Sequence, residues 1–152
     1  VSLNLAIGQG ENSQTVVNMA RFYTALATDG GAARPQVVRG AAERTQLFSL
    51  DSAQMAGLRA ALVGVVSRGT AAASRIEGVV LAGKTGTAQS GVKTGDHAWF
   101  AGFAPATDPK IVVVVMIEFG GHGTRAAHIA SKIVEHYLKQ AVKQVLSTEG
   151  NE

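Results

Sequence analysis

The segment Leu81-Ala-Gly-Lys-Thr-Gly-Thr-Ala-Gln89 decides how the rest of this chain is interpreted. It places one cation, Lys84, between two glycines, and a threonine on either side of the second glycine. Because glycine has no Cβ, such a strand can approach an anionic ligand closely, while the lysine supplies charge and the threonines supply hydrogen-bond donors. A Lys-Thr-Gly triplet alone is a weak motif. The alternative, a turn with an exposed lysine, therefore stays open until the neighbouring elements are considered.

Length and composition restrict the class of protein. The 152 residues form one domain or a piece of one, and 46% hydrophobic with 16% charged residues favours a packed core over disorder. The net charge of +3 comes from scattered basic residues, and with one tryptophan in the chain nucleic-acid binding is not expected. Since there is no cysteine, disulfides and thiolate metal sites are excluded. The apolar run Ile111–Ile117 is too short to cross a bilayer.

A helix and a short strand are predicted near the start of the chain. Apolar residues recur at helical spacing over residues 16–27, which predicts a helix with Ser13 as its N-cap and Gly30-Gly31 as its stop. The stretch Arg34–Arg39, with Pro35 near its start, predicts a short edge strand. No initiator methionine or polar lead-in precedes Val1, so we expect the chain to begin inside a larger domain.

A second helix is predicted between Asp51 and Ser67. Asp51 is its expected N-cap, Gln54 stands in the capping-box position and Gly69 is the expected terminator. Its expected core face consists of four aliphatic residues: Leu58, Leu62, Val65 and Val66.

Two more strands and a long helix are predicted after the Lys-Thr-Gly segment. The stretch His97–Pro105 mixes aromatic and small residues, and Trp99 and Phe100 are expected to pack in the core. The stretch Ile111–Phe119 starts with seven consecutive apolar residues, which predicts a central strand with helices on both faces. The final helix is predicted over 124–146, with an apolar stripe of Ile129, Ala130, Ile133, Val134, Tyr137, Leu138, Ala141, Val142 and Val145. The sequence thus predicts an α/β fold, an antiparallel meander flanked by helices.

A P-loop is one alternative interpretation of the lysine motif. The letters from Gly78 to Thr85 fit its pattern. However, the interior Val79–Ala82 is typical of a strand, and no helical periodicity follows the lysine, so no helix N-terminus would face a phosphate. A nucleotidase is therefore the remote alternative.

The ordered set of motifs resembles a known family. Lys84-Thr-Gly-Thr-Ala-Gln89, a polar loop, Ala98-Trp-Phe-Ala-Gly-Phe-Ala-Pro105, a valine-rich strand and a terminal helix follow one another. This order is similar to the C-terminal part of the transpeptidase domain of penicillin-binding proteins, whose fold is serine β-lactamase-like, and to the class B, elongation-type enzymes in particular. Leu5–Gly10 and Gly69–Ala71 resemble two upstream segments of the same family.

The resemblance implies roles for four residues. Lys84 would hold positive potential near the nucleophile and attract the substrate carboxylate, and Thr85 and Thr87 would hydrogen-bond that carboxylate or its β-lactam counterpart. Gly86 would let the acyl group lie against the strand. The main-chain N–H of Thr87 would supply half of the oxyanion hole. The candidate catalytic residues are therefore Lys84 and Thr87, and the candidate substrate-binding residues are Lys84, Thr85, Gly86 and Thr87.

The family's Ser-x-x-Lys nucleophile motif has no convincing counterpart here. Ser90-Gly-Val-Lys93 matches in letters but lies in a polar loop, and Ser2-Leu3-Asn4 matches the Ser-x-Asn motif but belongs to a different segment. We therefore expect residues 1–146 to be the C-terminal portion of a transpeptidase domain, residues 147–152 to be a frayed tail, and the chain to be inactive alone.

The same resemblance implies partners and a location. The expected partners are the D-Ala-D-Ala stem peptide of peptidoglycan, β-lactams, the upstream part of the domain and proteins of the cell-elongation complex. The expected location is the periplasmic, outer face of the cytoplasmic membrane, through an anchor in a missing N-terminal segment. No cofactor is expected, and the four histidines (His97, His122, His128 and His136) are too scattered to predict a metal site. The main alternative is a non-catalytic folding or interaction module derived from the family.

Overall fold

The computed structural model describes residues 8–10, 13–38, 40–91, 93 and 95–149, and for 142–149 it describes the backbone alone. Three α-helices occur in these ranges: α1 (Val16–Ala27), α2 (Ser52–Ser67) and α3 (Gly123–Glu149). Strands β1 (Gly31–Ala33) and β2 (Arg44–Gln46) form a small antiparallel pair. Strands β3 (Ala82–Ala88), β4 (His97–Ala104) and β5 (Ile111–Ile117) form a second sheet, and a 3₁₀ turn (Ala72–Ser74) precedes β3.

The three-stranded sheet is the predicted antiparallel meander. Its order is β3-β4-β5, and the register pairs Gly86 with Trp99 and Gly102 with Val113. Because successive side chains of a strand point to opposite faces, β4 contributes to two cores. Phe100 lies in the core shared with α3, and Phe103 lies in the core shared with α1. The fold class predicted from the sequence is confirmed.

The valine-rich strand occupies a different place from the one predicted. Helices cover both of its faces as expected, since Val112 and Val114 pack against the α1 core and Val113 lies in the α3 core. It is nevertheless an outer strand, and β4 is the central one. Burial on both faces produces the unbroken apolar run whether or not both edges are paired. The strand also ends before Phe119, which adopts a left-handed φ of 51° in the following turn.

The predicted strand Arg34–Arg39 is wrong. The strand in this region is β1, and it ends at Ala33, after which the Arg34 N–H makes one more bond to the Glu43 carbonyl. Pro35 has no N–H with which to continue the ladder. Val37 and Val38 are almost fully exposed, and Arg39 lies outside the described residues.

The helix ends agree with the sequence in part. The capping box of α2 is confirmed, because Asp51 accepts from the Gln54 N–H at 2.8 Å while the Gln54 side chain accepts from the Asp51 N–H at 3.1 Å. The cap of α1 is Thr15, not Ser13, since the Thr15 hydroxyl accepts from the Asn18 N–H. Thr15 lies three residues before the donor N–H, which is the spacing of an N-cap, whereas Ser13 lies five residues before it.

Small residues, more than large ones, bring α3 against the sheet. Its fully buried positions include Ala126, Ala127, Ala130 and Val134. Ile129, Ile133 and Tyr137 belong to the predicted stripe but are each more than 40% exposed. Leu58 of α2 is exposed to a similar degree, contrary to prediction. Within the described part of the chain, no helix has the length and apolar character needed to cross a membrane.

Candidate active site

The Lys-Thr-Gly segment lies on an outer strand of the sheet. One edge of β3 pairs with β4, and no other strand in the described ranges pairs with its second edge. In an antiparallel strand, successive residues direct their main-chain groups to alternate edges. The carbonyl of Thr87 accepts a side-chain bond on the open edge, so the Thr87 N–H points there as well. This is the main-chain group that the family resemblance assigns to the oxyanion hole.

Lys84 and Thr85 lie side by side but differ in environment. Lys84 is exposed, on the sheet face that packs on α1, and its Nζ donates to the Thr85 carbonyl at 2.8 Å. Thr85 is half-buried, and its hydroxyl lies 2.8 Å from the hydroxyl of Thr70. Thr70 was not among the site residues predicted from the sequence. The only signal was the similarity of Gly69–Ala71 to a family segment, because 15 residues separate the two threonines in the chain.

The start of α3 supports the strand from behind. The Gly123 N–H donates to the Thr87 hydroxyl over 3.4 Å. A Cβ on Gly123 would lie 2.5 Å from the Gly86 carbonyl oxygen and 2.8 Å from that of Trp99, both of them backbone atoms. Only glycine lets the helix terminus come this close. The position of Gly86 and Thr87 is thus fixed by α3 as well as by β4.

A cavity of about 530 Å³ opens in front of the strand. Its lining includes Lys84–Ala88 on one side and Gln9, Tyr23 and Trp99 on others. Trp99 was predicted to pack in the core, but it is half-buried and lines this cavity. Burial raises the pKa of Tyr23 to about 12, so its phenol stays protonated well above neutral pH. Lys84 contributes a cation to the lining.

Ser90 and Lys93, which match the Ser-x-x-Lys pattern in letters, do not line the cavity. The Ser90 hydroxyl donates to the Gly95 carbonyl at 2.6 Å in a loop, and Lys93 lies in the same loop, so Ser90 does not open a helix. Ser2, Leu3 and Asn4 lie outside the described residues. Nowhere in the described ranges do three metal-ligating side chains cluster. The P-loop interpretation is wrong, because Lys84 is the third residue of a β-strand and opens no helix.

Comparison with known proteins gives the same family that the motifs indicate. Residues 1–138 match the model of the penicillin binding protein transpeptidase domain. The chain is 30% identical to the peptidoglycan D,D-transpeptidase MrdA of Acinetobacter baumannii, over 90% of this chain and 24% of that protein. It is 34% identical to the peptidoglycan D,D-transpeptidase PbpA of Mycolicibacterium smegmatis, over 76% of this chain and 26% of that protein.

Comparison with solved structures gives the same family. Penicillin-binding protein A from M. tuberculosis, as its imipenem acyl-enzyme, superposes with a TM-score of 0.78 at 28% identity, covering 89% of this chain and 33% of that one. The D,D-transpeptidase domain of a peptidoglycan glycosyltransferase from Eggerthella lenta gives 0.73 at 33% identity, covering 84% and 32%.

This chain therefore belongs to the transpeptidase-domain family of penicillin-binding proteins. Within that family its relatives are the class B proteins of the MrdA, PbpA and PbpB types. The chain spans about a quarter of the length of the relatives it matches.

Proposed function

We propose that this chain forms the Lys-Thr-Gly side of a D,D-transpeptidase active site, whose serine nucleophile comes from an upstream segment of the same domain. The observation that carries the proposal is the open edge of β3. There Lys84, Thr85 and Thr87 line one cavity, and the main-chain N–H of Thr87 points outward from the strand. Family membership makes a peptidoglycan D,D-transpeptidase the best-supported activity for the whole protein.

Each group at this edge has a proposed part in binding an acyl-D-Ala-D-Ala peptide or a β-lactam. Lys84 attracts the carboxylate, and Thr85 and Thr87 donate hydrogen bonds to it, with Thr70 adding a third hydroxyl beside Thr85. The Thr87 N–H stabilises the oxyanion that forms when the serine attacks the scissile carbonyl. One such donor typically contributes about 3 kcal/mol to the transition state. Gly86 leaves room for the acyl group, since it has no side chain.

We propose that this chain is inactive without the upstream segment, because a carboxylate site and half an oxyanion hole cannot form an acyl-enzyme. Exposed apolar side chains support such a partner. Large apolar side chains exposed on α1 include Val16, Val17 and Phe22, and those exposed on the part of α3 with described side chains include Ile129, Ile133 and Tyr137. Apolar surface of this kind is normally covered in a soluble protein.

The proposed location is the periplasmic face of the cytoplasmic membrane, where the peptidoglycan substrate is cross-linked. Support comes from the relatives' activity on peptidoglycan and from a further solved structure, a complex between PBP2 and MreC from Helicobacter pylori. The superposition with that PBP2 has a TM-score of 0.73 at 29% identity and covers 90% of this chain. We therefore propose proteins of a cell-elongation complex as partners.

Labelling of source cells with fluorescent penicillin tests the proposal. Trypsin cuts after Lys84 and Lys93, so mass spectrometry can search each labelled band for the peptide of residues 85–93. We expect the peptide in a labelled band larger than this chain, or in one that co-purifies with a labelled partner. Label on the 152-residue chain itself would contradict the missing nucleophile. If the peptide never accompanies label, the non-catalytic interaction module becomes the better explanation.

A further inference from the structure

The side chain of Gln9 pairs with the open edge of β3. Its Nε2 donates to the Thr87 carbonyl at 3.0 Å, and its Oε1 accepts from the Gln89 N–H at 3.4 Å. These contacts join segments 78 and 80 residues apart in the chain. One side-chain amide thus uses both its donor and its acceptor on main-chain groups two residues apart.

The turn around Gln9 is built to present this side chain. Gly8 and Gly10 both have left-handed φ values, 76° and 81°, which glycine adopts without steric cost. Gln9 itself is half-buried and lines the cavity together with Gly8 and Thr87. The contact is therefore part of the site and not a chance meeting of surface side chains.

An extended peptide added to β3 would make the same pair of bonds. In an antiparallel pair, the carbonyl of one residue and the N–H of the residue two positions later point to the same edge. Both bond to main-chain amide groups of the same partner strand. Edge strands bind extended peptides through these main-chain groups. Gln9 supplies one amide N–H and one amide oxygen at the positions where such a peptide would supply its own. Similarly, the Lys84 side chain donates a hydrogen bond to the Thr85 carbonyl.

We infer that Gln9 is a specificity-determining residue: its side-chain amide holds the place of a substrate amide at the Thr87 carbonyl and is displaced when an acyl peptide binds. This inference rests on the proposed function, because it takes the ligand to be an acyl peptide or a β-lactam. Ligands with an amide N–H next to the reactive carbonyl must compete with Gln9. Ligands without that N–H leave Gln9 in place.

Two β-lactams separate these cases. Penicillin G carries an acylamino group on the carbon next to the reactive carbonyl, whereas imipenem carries a hydroxyethyl group there. Solved acyl-enzymes of the M. tuberculosis relative contain each compound. The experiment measures second-order acylation rates of both in the complete transpeptidase that carries this sequence. Removing a competing hydrogen bond in Gln9→Ala should raise the ratio of the penicillin G rate to the imipenem rate roughly 2- to 10-fold.

A second variant separates the two halves of the contact. Gln9→Glu keeps an acceptor for the Gln89 N–H but loses the donor to the Thr87 carbonyl. Penicillin G is an anion and imipenem a zwitterion, so the new carboxylate slows them unequally at low salt. At about 1 M salt, where the Debye length falls to about 3 Å, the ratio should rise as it does in Gln9→Ala. Gln36→Ala is the matched control, since the Gln36 side chain bonds the Ala41 carbonyl in a loop and does not line the cavity. It should leave both rates unchanged.

The ratio also distinguishes the possible failures. If both Gln9 variants change the two rates by the same factor, Gln9 only supports the strand and the inference is overturned. A fall in the ratio overturns it as well. If neither compound acylates the unmodified protein, the proposed function fails first.

Discussion

Strands β3 and β5 are the two outer strands of one sheet, yet their compositions are opposite. β5 has seven apolar residues, and helices cover both its faces. β3 is Ala-Gly-Lys-Thr-Gly-Thr-Ala, and Lys84 and Thr87 are exposed. On its open edge, the side chains of Gln9 and Lys84 donate hydrogen bonds to main-chain carbonyls of the strand.

The two outer strands occupy equivalent places in the sheet, but they have different roles. The apolar side chains of β5 bind the sheet to its helices, so changes there should alter stability. Strand β3 contributes few large side chains to the core, but Lys84, Thr85 and Thr87 line a cavity, so changes there should alter ligand binding. Three substitutions sharpen or break this contrast.

The largest effect is expected for Lys84→Gln on β3. Losing the cation should slow acylation by penicillin G about 10²-fold in the complete transpeptidase, because a positioned charge acts strongly on an anionic ligand. The unfolding midpoint should hardly change, since Lys84 is exposed. Lys110→Gln, which removes an exposed lysine paired with Asp108 at 2.6 Å, is the matched control and should affect neither quantity. An unchanged acylation rate in Lys84→Gln would show that β3 is not a ligand-binding strand.

A smaller effect is expected for Gly123→Ala, where α3 meets β3. The new Cβ would clash with backbone atoms of Gly86 and Trp99, so either the helix or the strand must move. We expect a loss of about 2 to 3 kcal/mol in the free energy of unfolding, measured by denaturant titration. Acylation should slow too, because Thr87 is displaced with Gly86.

A glycine elsewhere provides the control for that substitution. A Cβ on Gly57, inside α2, meets nothing within 4 Å. Gly57→Ala should therefore stabilise the protein by about 0.5 to 1 kcal/mol, since alanine is the better helix former. If both variants are equally stable, the close approach of α3 to β3 does not constrain the strand.

The smallest effect is expected for Val113→Ala on β5. Val113 is buried, and losing two methyl groups should cost about 1.5 to 2 kcal/mol of unfolding free energy. The acylation rate of the folded protein should stay unchanged. Val38→Ala serves as control because Val38 is 82% exposed, and its stability should change by less than about 0.5 kcal/mol. A slower acylation rate in folded Val113→Ala would break the division between the two strands.

The sequence predicted the local elements well where one signal dominated. Asp51 and Gln54 formed their capping box because both bonds lie within one turn. The prediction of a strand over Arg34–Arg39 was wrong because apolar content cannot show which residues have a partner strand. The apolar stripe predicted for α3 was partly wrong, since three of its residues are exposed. Helical periodicity identifies an apolar face, but it does not show which part of that face contacts the sheet.

By itself the sequence determined the α/β class, the antiparallel meander, the Lys-Thr-Gly strand and the family. These follow from short-range patterns, namely periodicity, capping and motif order. Only the tertiary structure decided that β4 is central, that Thr70 lies beside Thr85 and that Gln9 occupies the open edge of β3. Those contacts join residues 15 to 80 positions apart. No local pattern encodes them, because packing of the whole domain brings such segments together.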